Sequence, residues 1–185
     1  MIAKEIYTCI LAAFTGLWLS TASAMPTCHS DPAFSDFSTM LPIIKNKFPG
    51  WKLVEPMDLR KDDQSYWVKH YKNKCPSFAL GNFKNKFTKS YAVTLYKSAR
   101  IKSVDTLRQI LFVITPVDGV KKIVILSKPQ VVAYLSVVYK IDAGTYMNST
   151  GQTVHSDGIS YEALESGAIV YYFDNKKYIS IQASE

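Results

Sequence analysis

The segment Ile110–Leu126, ILFVITPVDGVKKIVIL, restricts the fold more than any other part of the chain. Two runs rich in β-branched residues, Leu111–Thr115 and Lys121–Leu126, flank Asp118-Gly119. Asp-Gly suits a two-residue type I′ turn, whose central residues both take positive φ. The segment therefore predicts a tight β-hairpin. Cys75–Tyr96 predicts a second one with a long turn: the apolar runs Ser77–Leu80 and Tyr91–Tyr96 enclose a polar, lysine-rich loop.

More strands follow. Val131–Lys140 is β-rich, and Gly144–Gly151 is a turn-rich loop. Gly158–Leu164, Ala168–Phe173 and Tyr178–Gln182 predict short strands, the last two linked at Asp174-Asn175. Ile169, Tyr171 and Phe173 alternate with Val170 and Tyr172, so both faces of that strand are apolar or aromatic. One face at least must be covered, and the N-terminal helix is the expected cover. That helix is predicted by Phe34, Phe37, Leu41, Ile44 and Phe48, spaced by three and four. Asp31-Pro32 and Ser35/Asp36 form its entry, and Pro49-Gly50 stops it. Pro42 requires a helix start near Thr39 or a kink. Trp51–Val54 is a short extended run, and Asp58–Asp63 begins a second short helix leading to Tyr66 and Trp67. Trp51 and Trp67 are expected in the core. The fold class expected is α+β: a mostly antiparallel β-sheet with one or two N-terminal helices packed on it.

The chain begins with a pattern of export. Lys4 precedes the apolar stretch Ile6–Leu19, and Ala22-Ser23-Ala24 is a small-x-small cleavage site. Met1–Ala24 is thus read as a signal peptide and residues 25–185 as a single exported α+β domain, periplasmic or secreted. No later apolar run has membrane length. Of three cysteines, Cys28 and Cys75 fall in the mature part, and in an oxidising compartment such a pair is expected to bond. They lack the ligand pairs of a zinc site.

The formal net charge is +7, with 19 lysines and 3 arginines. A basic surface attracts anionic partners. Bidentate reading of phosphate or base edges favours arginine, so nucleic acid is not the expected partner.

Cys75-Pro76, Gly81-Asn82-Phe83 and Tyr91-Ala92-Val93 resemble the strand-loop-strand of FG-GAP-like calcium repeats. The layout is similar to small exported bacterial proteins that carry one such unit. In those, a stretch like Phe48-Pro49-Gly50-Trp51 precedes the unit. A segment like Gly158-Ile159, Ser166, Tyr171-Tyr172-Phe173, Asp174 and Lys177-Tyr178 follows it. The resemblance implies a fold and an export route rather than an activity. The chain departs from the pattern where an ion would sit. Between Gly81 and Tyr91 there is no carboxylate, while Lys84, Lys86 and Lys89 supply three ammonium groups. A calcium loop needs converging oxygen ligands, so no metal is expected there. Lys69, Lys72 and Lys74 lie just upstream. If the connector adjoins the hairpin loop, the six form a basic patch suited to docking an acidic protein.

A catalytic set is not evident. His155-Ser156-Asp157 holds three triad residue types, but triads are assembled from separated segments. His70 and His29 are the other histidines, and Glu162 and Glu165 are neighbouring carboxylates with no sign of facing each other across a cleft. No phosphate-cradling glycine loop or nucleophile elbow occurs. No cofactor is expected. Tyrosines crowd the C-terminal half, where they suit half-buried strand positions or a recognition surface. The expected function is a non-enzymatic binding domain of immunity or inhibitor type that blocks an envelope-targeted hydrolase. The alternatives are an exported hydrolase with His155 as base, or an envelope protein bound to anionic lipid or polymer.

Overall fold

The computed structural model describes residues 25–101, 104–117, 119–144, 155–164, 167–174 and 176–183. The proposed signal peptide and most of the Gly144–Gly151 loop lie outside the described residues, as do Asp118, Asn175, Glu165 and Ser166.

The N-terminal apolar pattern folds into two helices, α1 (Phe34–Ser38) and α2 (Leu41–Lys47). Pro42 explains the division. It sits in the first turn of α2, where the missing N–H has no partner to lose. The hydroxyls of Ser38 and Thr39 donate to the carbonyls of Ser35 and Asp36 at 2.6 and 2.7 Å, helping α1 to stop. Phe37, Ile44 and Phe48 are buried along one face, and Gly50 turns the chain with φ +77°. β1 (Lys52–Leu53) follows, then α3 (Lys61–Tyr71). Arg60 holds the carboxylate of Asp63 in the first turn of α3 at 2.8 and 3.0 Å. Trp67 is wholly buried and donates its indole N–H to the Lys74 carbonyl at 2.8 Å, tying the helix to its exit. Trp51 is half-buried against the first core cluster.

Both predicted hairpins form. β2 (Phe78–Gly81) pairs antiparallel with β3 (Ser90–Ile101), in the register Phe78↔Val93 through Gly81↔Ser90. β4 (Val104–Val117) pairs with β5 (Val120–Val132), and Val117↔Val120 leaves a two-residue turn. Gly119 supplies positive φ there. The first sheet runs β1-β3-β4-β5, with β2 sharing one edge of β3 with β1.

β6 (Val137–Ile141), β7 (Gly158–Ala163), β8 (Gly167–Asp174) and β9 (Lys177–Ala183) form a separate antiparallel meander. Val131–Lys140 is thus not one strand. It breaks at residues 133–136, where the chain passes from one sheet to the other.

The two sheets lie face to face, and this corrects the expected role of the helix. Tyr91, Val93, Leu95, Ile110, Phe112 and Ile114 cluster with Phe37, Met40, Ile44 and Phe48 of the helical segment. The alternate positions Ala92, Leu111 and Val113 meet Val138, Ile159 and Tyr161 of the second sheet. Side chains alternate across a strand, so β3 from Ser90 to Leu95 and β4 from Gln109 to Thr115 are buried on both faces. The C-terminal sheet is covered by the first sheet rather than by α1 or α2. The helices α1 and α2, the first sheet and the second sheet stack in that order, while Trp67 and Tyr71 of α3 pack with Val137, Tyr139 and Leu164 beside the second sheet.

Cys28 and Cys75 form a disulfide with Cα atoms 4.5 Å apart, joining the N-terminal segment to the start of β2. Among the described residues no helix is long and apolar enough to cross a membrane.

Candidate functional site

The lysine-rich loop between β2 and β3 is held by groups that flank its lysines. The Asn82 N–H donates to Asp157 Oδ2 at 2.8 Å, across 75 residues of sequence. Phe83 is fully buried in the cluster between the sheets. A Cβ on Gly81 would lie 2.6 Å from the Phe83 ring, so only glycine fits beside it. Asn85 Oδ1 accepts from the N–H groups of Phe87 and Thr88 at 2.9 and 2.8 Å, closing an Asx turn. With its base plugged and its tip turned, the loop presents Lys84, Lys86 and Lys89 to solvent. Phe87 is 82% exposed, and Lys86 Nζ lies 5.1 Å from the centre of its ring.

Lys84 leans the other way, over the Phe173 ring at 6.0 Å. It forms one wall of a cleft of about 410 Å³ at the end of the sandwich. Lys122 of β5 and Lys176 and Lys177 at the β8–β9 turn complete a set of four lysines around it. Tyr171, Phe173 and Tyr178 supply aromatic surface. The described lining residues include no carboxylate. Among the described residues no carboxylate lies within ion-pair distance of these four lysines. The nearest acid in the ladder is Asp174, registered opposite Lys177 in the β8–β9 hairpin but outside the lining. The Tyr178 hydroxyl is buried with no hydrogen-bond partner among the described residues, and burial holds its pKa well above the ordinary tyrosine value. Four ammonium groups converging on low-dielectric walls raise the local positive potential. The cleft is therefore chemically suited to a carboxylate or another anion attached to an apolar body.

The six lysines singled out from the sequence are not all in one place. Lys84, Lys86 and Lys89 follow β2, whereas Lys69, Lys72 and Lys74 precede it. Lys69 is in the last turn of α3, and Lys72 ends that helix with φ 50°. Lys74 lies 3.9 Å from buried Asp31. The intervening strand separates the two groups by about 13 Å, at roughly 3.3 Å per residue. Of the connector lysines, Lys74 borders a different cavity of about 330 Å³, where Asp31 and Lys140 give mixed charge. Lys122, Lys176 and Lys177 were not singled out from the sequence. Their only signal was two lysine pairs next to predicted tight turns, and that signal does not reveal that the turns meet.

The catalytic candidates are structurally engaged or isolated. Asp157 accepts from Asn82 N–H and, at 3.3 Å, from Ala143 N–H, while His155 beside it is exposed. His70 stacks on Tyr66 at 4.3 Å, and His29 packs on Phe34 at 4.2 Å. Glu162 accepts from the Tyr139 hydroxyl at 2.6 Å. Among the described residues no group of three or more His, Cys, Asp or Glu side chains could hold a metal ion. In comparisons with known proteins, no family model, no curated protein and no solved structure matches the chain.

Proposed function

We propose that this chain is an exported, non-enzymatic binding domain of immunity or inhibitor type, which blocks an envelope-targeted hydrolase by engaging an acidic segment of it. The observation that carries the reading is the cleft lined by Lys84, Lys122, Lys176 and Lys177 with no described carboxylate among them. The anchored loop supports it, because a loop fixed at Asn82 and Asn85 presents Lys84 with little entropy left to lose on binding. Exposed Phe87 adds an apolar contact at the same end of the molecule. The Cys28–Cys75 disulfide agrees with an oxidising compartment, and the pattern of Met1–Ala24 with export.

Magnitudes limit what charge alone can do. Each solvent-exposed ion pair contributes about 0.2–1 kcal/mol, so four pairs reach at most about 4 kcal/mol, a dissociation constant near millimolar. Tighter binding needs the aromatic wall and further backbone contacts.

The test is recovery of partners from an envelope extract with two baits of equal net charge. One carries Lys84→Glu, Lys122→Glu, Lys176→Glu and Lys177→Glu. The other carries Lys45→Glu, Lys47→Glu, Lys52→Glu and Lys61→Glu, all exposed and remote from the cleft. The reading expects the wild type and the remote variant to retain an acidic protein that the cleft variant loses. Identical recovery by all three contradicts it.

A further inference from the structure

β5 is the last strand in the order of its sheet, and its outer edge has no strand beside it among the described residues. It is 13 residues long, with Val120, Ile125 and Val131 well exposed. A long edge strand presents a row of unpaired N–H and C=O groups, a template for another strand. Proteins commonly blunt such edges with lysine or proline. Here Pro129 removes a donor near the C-terminal end, and the β4–β5 register shifts between Phe112↔Ile125, Leu111↔Ser127 and Gln109↔Gln130, so the regularly paired stretch Val120–Ile125 is the part of the edge that offers an unbroken ladder. The same stretch runs into the basic cleft, since Lys122, Val124 and Ile125 line it.

We propose that this open edge takes up an extended acidic segment of a protein partner as an added strand, whose acidic side chains meet Lys122 and the other cleft lysines. The proposal rests on the reading of the cleft as the site of an acidic partner. β5 carries Lys121, Lys122 and Lys128 and no carboxylate. Charge complementarity therefore selects an acidic strand. The same lysines argue against a second copy of this chain as the occupant. Within the regularly paired stretch, antiparallel pairing of two copies centred on Lys121 or on Lys122 sets that lysine opposite its own copy, and pairing centred between them sets Lys121 opposite Lys122. Like charges directly opposite each other destabilise a strand pair. An acidic strand meets no such repulsion, and its main-chain bonds add the affinity that ion pairs alone do not supply.

Three synthetic peptides test this on the intact protein: one alternating glutamate with valine, the same sequence N-methylated at alternate backbone amides, and one alternating lysine with valine. N-methylation removes ladder donors and leaves every charge in place. Strand addition predicts that the acidic peptide binds and slows hydrogen exchange of outward-facing β5 amides. It also predicts that N-methylation weakens binding by at least about tenfold, corresponding to about 1.4 kcal/mol, and that the lysine peptide does not bind. If the two acidic peptides bind equally and β5 exchange is unchanged, strand addition is overturned while the cleft reading stands. If the acidic peptide does not bind, or binds the Lys84/Lys122/Lys176/Lys177→Glu variant as well as wild type, both are overturned.

Discussion

Replacing Gln109 by leucine should destabilise the protein by about 3 kcal/mol, through groups that belong to another residue. Gln109 lies in β4 with no exposed surface. Its Nε2 donates to the Ser136 carbonyl at 2.6 Å and to Thr94 Oγ1 at 3.0 Å, and its Oε1 accepts from the Ser136 N–H at 2.8 Å. The side chain thus pairs with the backbone of Ser136 as a strand would, at the crossover between the sheets. Leucine has similar volume, so the cavity term is small. It leaves the buried N–H and C=O of Ser136 without partners, at about 1–3 kcal/mol each, partly offset by not burying the glutamine amide. A net loss of about 3 kcal/mol lowers the melting temperature by about 10 °C for the roughly 140 described residues at about 2.1 cal/mol/K each. Thermal and urea unfolding followed by circular dichroism give the value. Gln109→Glu supplies a second readout. Ionised, it still accepts from Ser136 N–H but has no donor for Ser136 C=O. Burial raises its folded pKa above the unfolded value. Measured against wild type, this variant should be most stable below the unfolded glutamate pKa and lose stability as pH rises through the folded pKa. A loss below about 1 kcal/mol for the leucine variant, or a glutamate variant that gains relative stability with rising pH, refutes the reasoning.

Reducing the Cys28–Cys75 bond, which spans 47 residues, should cost about 4 kcal/mol in urea unfolding with and without reductant. Gly81→Ala should cost roughly 1–3 kcal/mol, because its Cβ meets the Phe83 ring at 2.6 Å; hydrogen exchange should quicken in the loop of residues 82–89 and not in α3. Burial raises the pKa of Tyr139, Tyr161 and Tyr178 above the ordinary 10.0, that of Tyr161 to about 12. Their neutral forms are favoured by folding, so this stability is complete below pH 10 and is lost as pH rises toward 12 and beyond. Tyrosinate absorbance should therefore rise together with unfolding, rather than before it.

Local chemistry made the hairpins and helices legible. Asp118-Gly119 fixed a two-residue turn, and Pro42 marked the position where the helical pattern is interrupted. Long-range placement was not legible. The unbroken apolar character of Ile169–Phe173 required a cover but could not say whether a helix or another sheet provides it. The split of Val131–Lys140 lies where Gln109 pairs with the backbone of Ser136, a contact with no periodic signature. For the site, the sequence indicated Lys84, Lys86 and Lys89 through the absence of loop carboxylates. It could not show that Lys69, Lys72 and Lys74 stand at the far end of β2, nor that Lys122, Lys176 and Lys177 close around Lys84. Asp157 reaches the same loop from 75 residues away and was equally hidden.

The most direct measurement is a calorimetric titration of the alternating glutamate–valine peptide into three proteins: wild type, the cleft variant with glutamate at 84, 122, 176 and 177, and the remote variant with glutamate at 45, 47, 52 and 61. Both variants carry the same formal charge. A site in the cleft predicts that the remote variant binds within about threefold of wild type while the cleft variant weakens by more than about tenfold. Equal weakening of the two variants would mean that overall charge, and not this cleft, holds the acidic chain.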